Sequence, residues 1–469
     1  MPMRLPALAF LAALLLPAAP VSADTLARAA SLGVAPAALP PEQARSGPGV
    51  LVRGVAPGSN AARLGVAPGD VILSVNGRAV AAPGELPLAV RGLKEGAALR
   101  LSVRRGEAVL ELAGPAAGNA REEYAGAEVT YGTVPFRGGL LRDILVMPAG
   151  RRDAPVVYLI QGYDCASMES PDPEHHHRRL AAGLLRRGIG LYRVEKPGSG
   201  DSRNEPGCAD IDFDTELAAF EAGYRALVEG HRVDAGRAFL FGHSMGGLQA
   251  PMLAARPLPT PRGVAVYGTA LRPWYDYMLG ALRFQRLIHQ NGDPVESAVQ
   301  TEAAREPLRR FFVERQIPAR IAAADPAHGA VLRDFYDWDG AERLAGRHYA
   351  YWHQVAHAPL TEAWRDTRTP VLVLHGAADV QAVDDEDHRR IADIVNHYRP
   401  GTACFVQFAG TDHGWNLSGG PGAPRPQGRP PVNPRVAEVL ADWVTARMAG
   451  PPAGPDACAG VTLTAAERR

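Results

Sequence analysis

Three polar residues, each placed just after an apolar run, could carry chemistry in this sequence. Residues 242–246 read Gly-His-Ser-Met-Gly, and Ser244 within them follows an apolar run and precedes a helix-like stretch. Asp379 and His413 come later in the chain, each just beyond another apolar run. A serine hydroxyl is a weak nucleophile that requires a base, and the base requires a carboxylate that orients it. The three residues therefore predict nucleophilic catalysis of acyl transfer.

Other residues compete for two of these roles. Asp384 and Asp385 lie a few positions beyond the predicted acid and remain alternatives to it. His375 precedes the acid in the same segment, and we expect it to pack structurally. His243 lies inside the serine turn, and we expect it to have no catalytic duty.

Acyl transfer also needs N–H donors at the point where negative charge develops on the substrate oxygen. Met245 directly follows the serine, and its backbone N–H is one expected donor. The apolar run 156–160 is followed by Gly162, which permits close approach of the backbone, and by Tyr163. The N–H of Tyr163 is the second expected donor, so these groups predict an oxyanion hole.

The elements that must position these residues are visible as alternating apolar runs and helical patterns over residues 121–449. Apolar strands separated by helices predict an α/β fold with a doubly wound, mostly parallel sheet. Residues 270–366 interrupt the alternation with helical patterns and no clear strand, and they hold 13 of the chain's 31 aromatic residues. We expect this window to be a helical lid whose aromatic side chains line the substrate pocket.

The Gly-x-Ser-x-Gly turn between strand and helix, followed by an acid and then a histidine at later strand ends, resembles the α/β-hydrolase superfamily. The resemblance covers residues 121–449, and within the superfamily the sequence is similar to the serine esterases and peptidases. It implies Ser244 as nucleophile, His413 as general base and then general acid, and Asp379 as the partner that orients the histidine.

Three further segments surround the predicted site. Gln161 stands where the resembled family commonly has histidine in the oxyanion loop. Residues 197–202 resemble the family's Gly-x-Gly-x-Ser turn near the mouth of the site, and we expect a structural role for them. The run His175-His176-His177 invites a metal interpretation, but neighbouring helical residues point about 100° apart and are not expected to converge on one ion. We predict neither a metal ion nor an organic cofactor.

Residues 28–114 form a separate unit of short strands and turns. The segment 55–72, with its Ala-Pro-Gly-Ser and Pro-Gly-Asp turns, resembles a PDZ domain of the bacterial protease-associated type. In that family a loop cradles the C-terminal carboxylate of a peptide, which then adds as a strand. The corresponding loop positions here are Leu32, Gly33 and Val34. Pro36 removes a donor from the strand that would pair with the peptide, so peptide binding and a purely structural or docking role both stay open.

The four cysteines are expected to form two disulfides, because an even number in an exported chain favours pairing. Cys165 and Cys208 each follow a strand of the predicted parallel sheet, at the edge where the carboxyl ends of the strands meet. We therefore predict a Cys165–Cys208 bridge that pins the oxyanion loop. Cys404 is then left to pair with Cys458.

The N-terminal residues 1–23 have the pattern of a signal peptide, with Arg4, an apolar run and a Val-Ser-Ala cleavage site. This pattern predicts an exported protein, periplasmic or secreted, with no membrane span after cleavage.

Residues 115–120 have linker composition, and the tail 450–469 is mostly small and polar. The 50 basic and 50 acidic side chains give a formal net charge of zero, which provides no field for binding nucleic acid.

The predicted function is that of an exported serine hydrolase. It cleaves an ester, thioester or amide bond of a small-molecule or peptide substrate through an acyl-enzyme on Ser244. One alternative is a serine peptidase acting on peptides whose C-termini the PDZ-like unit recruits. A second alternative is a non-catalytic binding or scaffold protein that retains the hydrolase fold.

Overall fold

The computed structural model describes residues 26–289, 292–382, 384–420, 430–450 and 456–467. The expected signal peptide, residues 1–23, lies outside the described residues. The strands are β1 Val34–Ala37, β2 Val50–Val55, β3 Val71–Val75, β4 Arg78–Ala79, β5 Ala98–Arg105, β6 Ala108–Pro115, β7 Ala127–Phe136, β8 Gly139–Pro148, β9 Val156–Ile160, β10 Gly190–Val194, β11 Ala238–His243, β12 Gly263–Tyr267, β13 Arg343–Leu344, β14 Arg347–His348, β15 Val371–Gly376 and β16 Ala403–Phe408.

The helices alternate with these strands in the second part of the chain. They are α1 Pro41–Ala44, α2 Asn60–Arg63, α3 Glu85–Ala89, α4 His176–Leu185, α5 Phe213–Arg225, α6 Gly246–Ala254, α7 Trp274–His289, α8 Pro294–Leu308, α9 Pro318–Ala324, α10 Pro326–Tyr336, α11 Tyr349–Ala356, α12 Leu360–Asp366, α13 Glu386–Tyr398 and α14 Pro434–Ala449.

The first sheet is antiparallel, with the strand order β1-β2-β3-β5-β6, and β4 pairs with β3. Its strands alternate between buried and exposed side chains, as β5 shows with Leu99, Leu101 and Val103 inside. This period of two gives the sheet one apolar face, which packs into its own core with residues of α2 and α3. β1 lies at one edge of this sheet.

The second sheet has eight strands in the order β16-β15-β12-β11-β9-β10-β8-β7. Its strands from β9 onward run parallel, whereas β8 pairs antiparallel with β10 and with β7. Every residue of β9, β10, β11, β12 and β15 is buried, which explains why these strands are continuous apolar runs in the sequence. The predicted mostly parallel sheet is confirmed. The β7–β8 hairpin at its edge was not among the predicted elements.

Helices cover both faces of this second sheet, and β9 shows how the faces divide. Val156, Tyr158 and Ile160 pack in a cluster with α5 and α6, whereas Val157 and Leu159 pack in another cluster with α4 and α14. Because strand side chains alternate between faces, each half of β9 joins a different core. The sheet is therefore doubly covered, as the sequence predicts.

The helical window between β12 and β15 contains α7 to α12. It also contains a short antiparallel hairpin, β13 and β14, where the sequence showed no clear strand. The two residues that join these strands, Ala345 and Gly346, both have positive φ angles of 47° and 73°. Such a two-residue turn fits the right-handed twist of a tight hairpin. The hairpin is too short for a periodic pattern to reveal it.

The two sheets meet at a buried ionic contact. Arg28, in the segment that leads into the first sheet, donates to Asp201 at 2.5 Å and to Glu169 at 2.6 Å. The N–H of Ala29 also donates to Asp201, at 2.6 Å, and Lys94 of the first unit donates to the carbonyl of Gly200. The first unit therefore docks on the turn at residues 197–202. This contact is a more specific role than the general structural one expected for the turn.

Both predicted disulfides are confirmed. Cys165 bonds to Cys208 and Cys404 bonds to Cys458, with Cα atoms 5.7 Å and 5.1 Å apart. The first bridge joins the loop after β9 to the loop after β10. Among the described residues, no helix has the length and apolar character that crossing a membrane requires.

We predict that a chain beginning at Arg121 still folds. Asp201 keeps Arg142, which lies 3.0 Å away, after Arg28 is removed, so its buried carboxylate is not left unpaired. Far-UV circular dichroism and a cooperative thermal transition would verify this. A truncated chain that is insoluble, or that melts without cooperativity, would show that the first unit is part of the second unit's folding core.

Candidate active site

Ser244 lies on a sharp turn between β11, which ends at His243, and α6, which begins at Gly246. Its φ of 56° is rare for a residue other than glycine, and its N–H donates to the carbonyl of Tyr267 at 2.9 Å. A Cβ on Gly242 would lie 2.3 Å from the carbonyl oxygen of Gly246. A Cβ on Gly246 would lie 2.1 Å from the carbonyl oxygen at the end of β9. Both glycines are therefore required sterically.

Asp379 and His413 are brought together from loops after neighbouring strands, β15 and β16. His413 Nδ1 lies 2.8 Å from Asp379 Oδ2. The other carboxylate oxygen of Asp379 accepts the backbone N–H groups of Gln381 and Ala382 at 2.9 Å and 2.8 Å. The carboxylate is thus held in one orientation, with one oxygen left for the imidazole.

The backbone around Gly268 brings Ser244 next to this pair. Tyr267, which accepts the N–H of Ser244, directly precedes Gly268. A Cβ on Gly268 would lie 2.7 Å from Asp379 Oδ2 and 2.9 Å from His413 Nδ1. Within the described part of the chain, Ser244 Oγ makes no hydrogen bond to His413. Gly268 therefore lies between the backbone that holds Ser244 and the Asp379–His413 pair.

The electrostatics of the Asp379–His413 pair favour an imidazolium beside a carboxylate. Burial by itself lowers the pKa of His413, but the charge and hydrogen bond of Asp379 outweigh burial and raise that pKa above its ordinary value. Burial by itself raises the pKa of Asp379, but His413 and the backbone donor Ala382 outweigh it and hold that pKa well below its usual range. Each partner therefore stabilises the charged form of the other.

The two alternative acids, Asp384 and Asp385, each pair with an arginine side chain. Asp384 accepts from Arg272 at 2.5 Å, and Asp385 accepts from Arg389 at 2.8 Å. Neither carboxylate contacts His413 in the described part of the chain. Of the three carboxylates, the one that contacts His413 in the described ranges is that of Asp379.

The two other histidines near the site have packing roles. His375 Nε2 bonds to the carbonyl of Ala382 at 2.9 Å, beneath the acid loop. His243 Nε2 bonds to the carbonyl of His413 at 2.8 Å, and burial together with His413 lowers its pKa to about 3. His243 is therefore neutral and donates this hydrogen bond, which holds the backbone of the histidine loop.

The oxyanion loop, residues 161–164, lies beside the serine. A Cβ on Gly162 would lie 3.1 Å from Ser244 Cβ, so this backbone approaches the nucleophile closely. The backbone N–H groups of Tyr163 and Met245 donate no hydrogen bond to any residue that the structure describes. Gln161, in place of the family's histidine, donates to the carbonyl of Ala166 at 3.0 Å and so closes the loop.

Two buried cations hold the oxyanion loop on the side away from Ser244, and they are only weakly indicated in the sequence. Lys196 Nζ donates to the carbonyls of Gly162 and Asp164, the latter at 3.0 Å. Arg347 donates to the carbonyl of Tyr163 at 2.6 Å. Lys196 closely follows an apolar strand, and a charged residue in that position indicates a pairing with its neighbour or with the pocket. Arg347 carried no readable signal.

Glu195 does not pair with Lys196. It accepts from the hydroxyl of Ser167 at 2.5 Å and from the N–H of Met168 at 3.1 Å. Burial raises the pKa of this carboxyl to about 7. Glu195 therefore braces the far end of the loop that contains Cys165.

Four aromatic rings form a continuous series that we call the aromatic arch: Tyr163, Trp352, Trp274 and Tyr277. Their ring centroids are 6.2, 5.9 and 4.5 Å apart in that order. Tyr163 belongs to the oxyanion loop, and the Tyr277 hydroxyl donates to the carbonyl of Gln381 in the acid loop at 2.9 Å. The arch therefore links the two loops that flank Ser244, and its middle rings come from the helical insertion.

The three consecutive histidines are closer together than the sequence argument allowed. Their possible ligand atoms all lie within 4.8 Å of one another. The reason is that His175 is not helical but caps α4 with an extended ψ of 138°. The rings of His175 and His176 are stacked at an interplanar angle of 28°, and the ring of His177 meets both nearly edge-on.

The loop predicted to hold a peptide carboxylate lies beside the edge strand β1. The carbonyls of Leu32 and Gly33 accept from the backbone of the same unit, whereas their N–H groups donate to no residue in the described ranges. Val34 begins β1, and Pro36 lies exposed within it next to an irregularity in the pairing with β2. The arrangement leaves two backbone donors unbonded at the start of an open sheet edge.

Comparisons with known proteins separate the chain as its two sheets do. A family model described as serine aminopeptidase, S33, matches residues 174–399, and a PDZ domain model matches residues 51–105. No curated protein gives a significant match. Among solved structures, Est1E from Butyrivibrio proteoclasticus with bound ferulic acid is 17% identical, with a TM-score of 0.45, covering 68% of this chain and 99% of that one. Proline iminopeptidase of Mycobacterium smegmatis is 16% identical, with a TM-score of 0.41, covering 68% and 98%.

We predict that Asp379→Asn lowers the pKa of His413 below the ordinary histidine value of about 6.5. The substitution removes the charge that raises this pKa and leaves burial, which lowers it. Nitrogen-15 NMR titration of the histidines, with His413→Gln for assignment, measures the shift. Asp384→Asn is the matched control, because Asp384 bonds to Arg272, and it should leave the pKa unchanged. A larger shift in the control would identify Asp384 as the acid.

Proposed function

We propose that this chain, a serine hydrolase of the α/β-hydrolase family with an N-terminal PDZ domain, cleaves an ester, thioester or amide by forming an acyl-enzyme on Ser244. The observation that carries the proposal is the strained backbone of Ser244, with a φ of 56°, between the oxyanion loop and the Asp379–His413 pair. Strain of this kind persists in proteins mainly where function uses it. It is therefore poorly explained by a scaffold that has lost catalysis.

The chemistry follows from the roles of the three side chains. Ser244 Oγ attacks the substrate carbonyl carbon while His413 takes its proton, and the N–H groups of Met245 and Tyr163 stabilise the oxyanion. The intermediate collapses, and His413 returns the proton to the leaving group. Water then attacks the acyl-enzyme in the same way and regenerates the serine. Asp379 stabilises the imidazolium at each step.

The missing hydrogen bond between Ser244 and His413 is compatible with this mechanism. Catalytic hydrogen bonds are often long or misaligned without substrate and shorten when substrate binds. The unbonded N–H groups of Met245 and Tyr163 support the same assignment, because an oxyanion hole must offer donors with no internal partner. Met245 also stands at the start of α6, where the helix dipole favours negative charge.

The aromatic arch supports an uncharged, apolar or aromatic group as the recognised part of the substrate. Cations near the site are paired internally: Arg272 with Asp384 and Asp387, and Lys196 with Glu216. A substrate carboxylate close to the reacting bond therefore gains little from them. The arch instead offers a neutral acyl group apolar contact at the exposed ring of Tyr163, with the buried rings of Trp352 and Trp274 packed behind it.

A second candidate is a peptidase that removes residues from a peptide N-terminus. Asp164 and Asp337 lie near Tyr163, since both raise its pKa after the larger effect of burial. Two exposed carboxylates beside the arch would attract the ammonium of a peptide N-terminus. Faster turnover of aminoacyl p-nitroanilides than of p-nitrophenyl esters would favour this candidate over an esterase.

The PDZ domain is proposed to bind a peptide C-terminus at Leu32, Gly33 and Val34. The unbonded N–H groups of Leu32 and Gly33 and the open edge of β1 support this use. Pro36 limits the added ladder, because it has no N–H to donate.

Export to an oxidising compartment is proposed from the two disulfides together with the predicted signal peptide.

We predict that Ser244→Ala lowers turnover of p-nitrophenyl esters by about 10⁴- to 10⁶-fold and abolishes labelling by a fluorophosphonate probe. The fold should be kept, because the smaller side chain relieves crowding on the turn. Ser199→Ala is the matched control, since Ser199 is buried in a glycine-rich turn and its hydroxyl has no described partner. Normal turnover in Ser244→Ala would refute the assignment.

We predict that Trp274→Leu lowers kcat/KM for p-nitrophenyl phenylacetate by about 3- to 10-fold, because stacked ring contacts are lost. The same substitution should change kcat/KM for p-nitrophenyl acetate much less, since a methyl group offers little area for ring contacts. The Trp274 indole N–H has no described partner, so no other group is left unbonded. Phe335→Leu, in the same insertion but outside the arch, is the control. Equal losses on both esters would mean that the arch does not select the acyl group.

A further inference from the structure

A fully buried cluster of charges lies behind the oxyanion loop. Glu216 of α5 pairs with Lys196 at 3.2 Å and with Arg347 at 2.7 Å, and these three side chains are at most 1% exposed. Gln249 of α6 donates to the same carboxylate at 2.9 Å, and Tyr351 lies 3.3 Å from it. Burying such a cluster costs desolvation free energy that apolar side chains of similar size would not cost. We therefore expect the cluster to have a role besides stabilising the fold.

That role is visible in what the two cations contact. Lys196 donates to the carbonyl of Gly162, which belongs to the same peptide unit as the N–H of Tyr163. A trans peptide is planar, and its C=O and N–H point in opposite directions. Fixing the oxygen from behind the loop therefore fixes the direction of the N–H in front of it. Arg347 holds the next carbonyl, that of Tyr163, at 2.6 Å, so two successive peptide planes are fixed.

We propose that Lys196 and Arg347, both anchored by Glu216, are positioning residues that aim the Tyr163 N–H at the substrate oxyanion. This inference rests on the proposed function, because it assigns a role within that reaction. Because the cluster is buried and dry, its charges hold the two peptide units more firmly than they would in water.

The cluster also makes the insertion part of the catalytic machinery. Lys196 follows β10 and Glu216 lies in α5, so both belong to the sheet and the helices that cover it. Arg347 comes from the β13–β14 hairpin of the insertion. Its hydrogen bond to the Tyr163 carbonyl therefore couples the position of the insertion to the direction of the Tyr163 N–H. The aromatic arch forms a second link between the insertion and the same loop.

The charge of Lys196 gives the inference a pH signature. Burial lowers the pKa of Lys196 to about 8, against the opposing attraction of Glu216. The other charged groups that face it are Arg347 and Asp164, while Glu195 points away to Ser167 and Met168. As pH rises through this pKa, the ammonium becomes a neutral amine that still donates but no longer carries charge. Turnover should therefore decline to a lower plateau on the alkaline side.

The test is Lys196→Met in the full chain, with p-nitrophenyl esters as substrates. We expect kcat to fall about 10- to 100-fold, less than or comparable to direct loss of an oxyanion donor, with KM within about 3-fold. The inhibition constant of a trifluoromethyl ketone, which forms a tetrahedral adduct, should rise in parallel with the fall in kcat/KM. The alkaline decline near pH 8 should disappear.

Arg343→Met is the control, because Arg343 lies in the same hairpin but pairs with Asp210 at the surface. It should leave kcat, KM and the pH profile unchanged. Arg347→Lys keeps the charge of Arg347 and loses its fork geometry, and it should lower kcat without moving the alkaline limb. If Lys196→Met does not fold, the kcat of Arg347→Lys still decides the matter, because Arg347 holds the Tyr163 carbonyl directly.

Three results would overturn the inference: unchanged kcat in a folded Lys196→Met protein, a rise in KM with constant kcat, or unchanged kcat in Arg347→Lys. Failure of the proposed function looks different. In that case the wild-type protein would not label with fluorophosphonate and would turn over no ester or amide, whatever stands at position 196.

Discussion

The turn that carries Ser244 depends on backbone atoms approaching one another with no side chain between them. Gly246 lies against the carbonyl at the end of β9, and Gly242 lies against the carbonyl of Gly246, at separations where a Cβ would overlap both. This contact sets the position of α6 relative to β9. Because the oxyanion loop starts where β9 ends, the same contact places Gly162 beside the serine. The rest of the site is arranged around that one close approach.

Charges at the site are buried, and each one is compensated by a specific neighbour. Asp379 faces His413, and Glu216 lies between Lys196 and Arg347. Removing one partner from such a buried pair costs about 3–5 kcal/mol, because the remaining charge is left without water or a counter-charge. The carbonyls that Lys196 and Arg347 hold are therefore fixed by partners that are costly to remove.

The PDZ domain is attached to the catalytic unit at the same turn that borders the oxyanion region. Asp201 in this turn accepts from Arg28, from the N–H of Ala29 and from Arg142. Arg28 precedes the proposed carboxylate-binding residues Leu32 and Gly33 by only a few positions. A peptide bound there would lie on the segment that docks the two units together, so the contact between the sheets and the binding loop share one stretch of chain.

The sequence by itself determined the parts of this protein that depend on local pattern. Continuous apolar runs predicted the parallel strands, and the order of serine, acid and histidine at their ends predicted which residues meet. The Cys165–Cys208 pairing also followed, because loops after neighbouring parallel strands emerge at one edge, and Cys404–Cys458 followed as the remaining pair. Tertiary structure decided what depends on contacts distant in sequence. Asp379 could be chosen over Asp384 and Asp385 only once their distances to His413 and to their arginine partners were known.

Lys196, Glu216 and Arg347 come from three separate segments, and no periodicity or spacing relates them. Their meeting behind the oxyanion loop is set by how α5 and the insertion pack on the sheet, because a buried charge is placed by the partners it finds there and not by its neighbours along the chain.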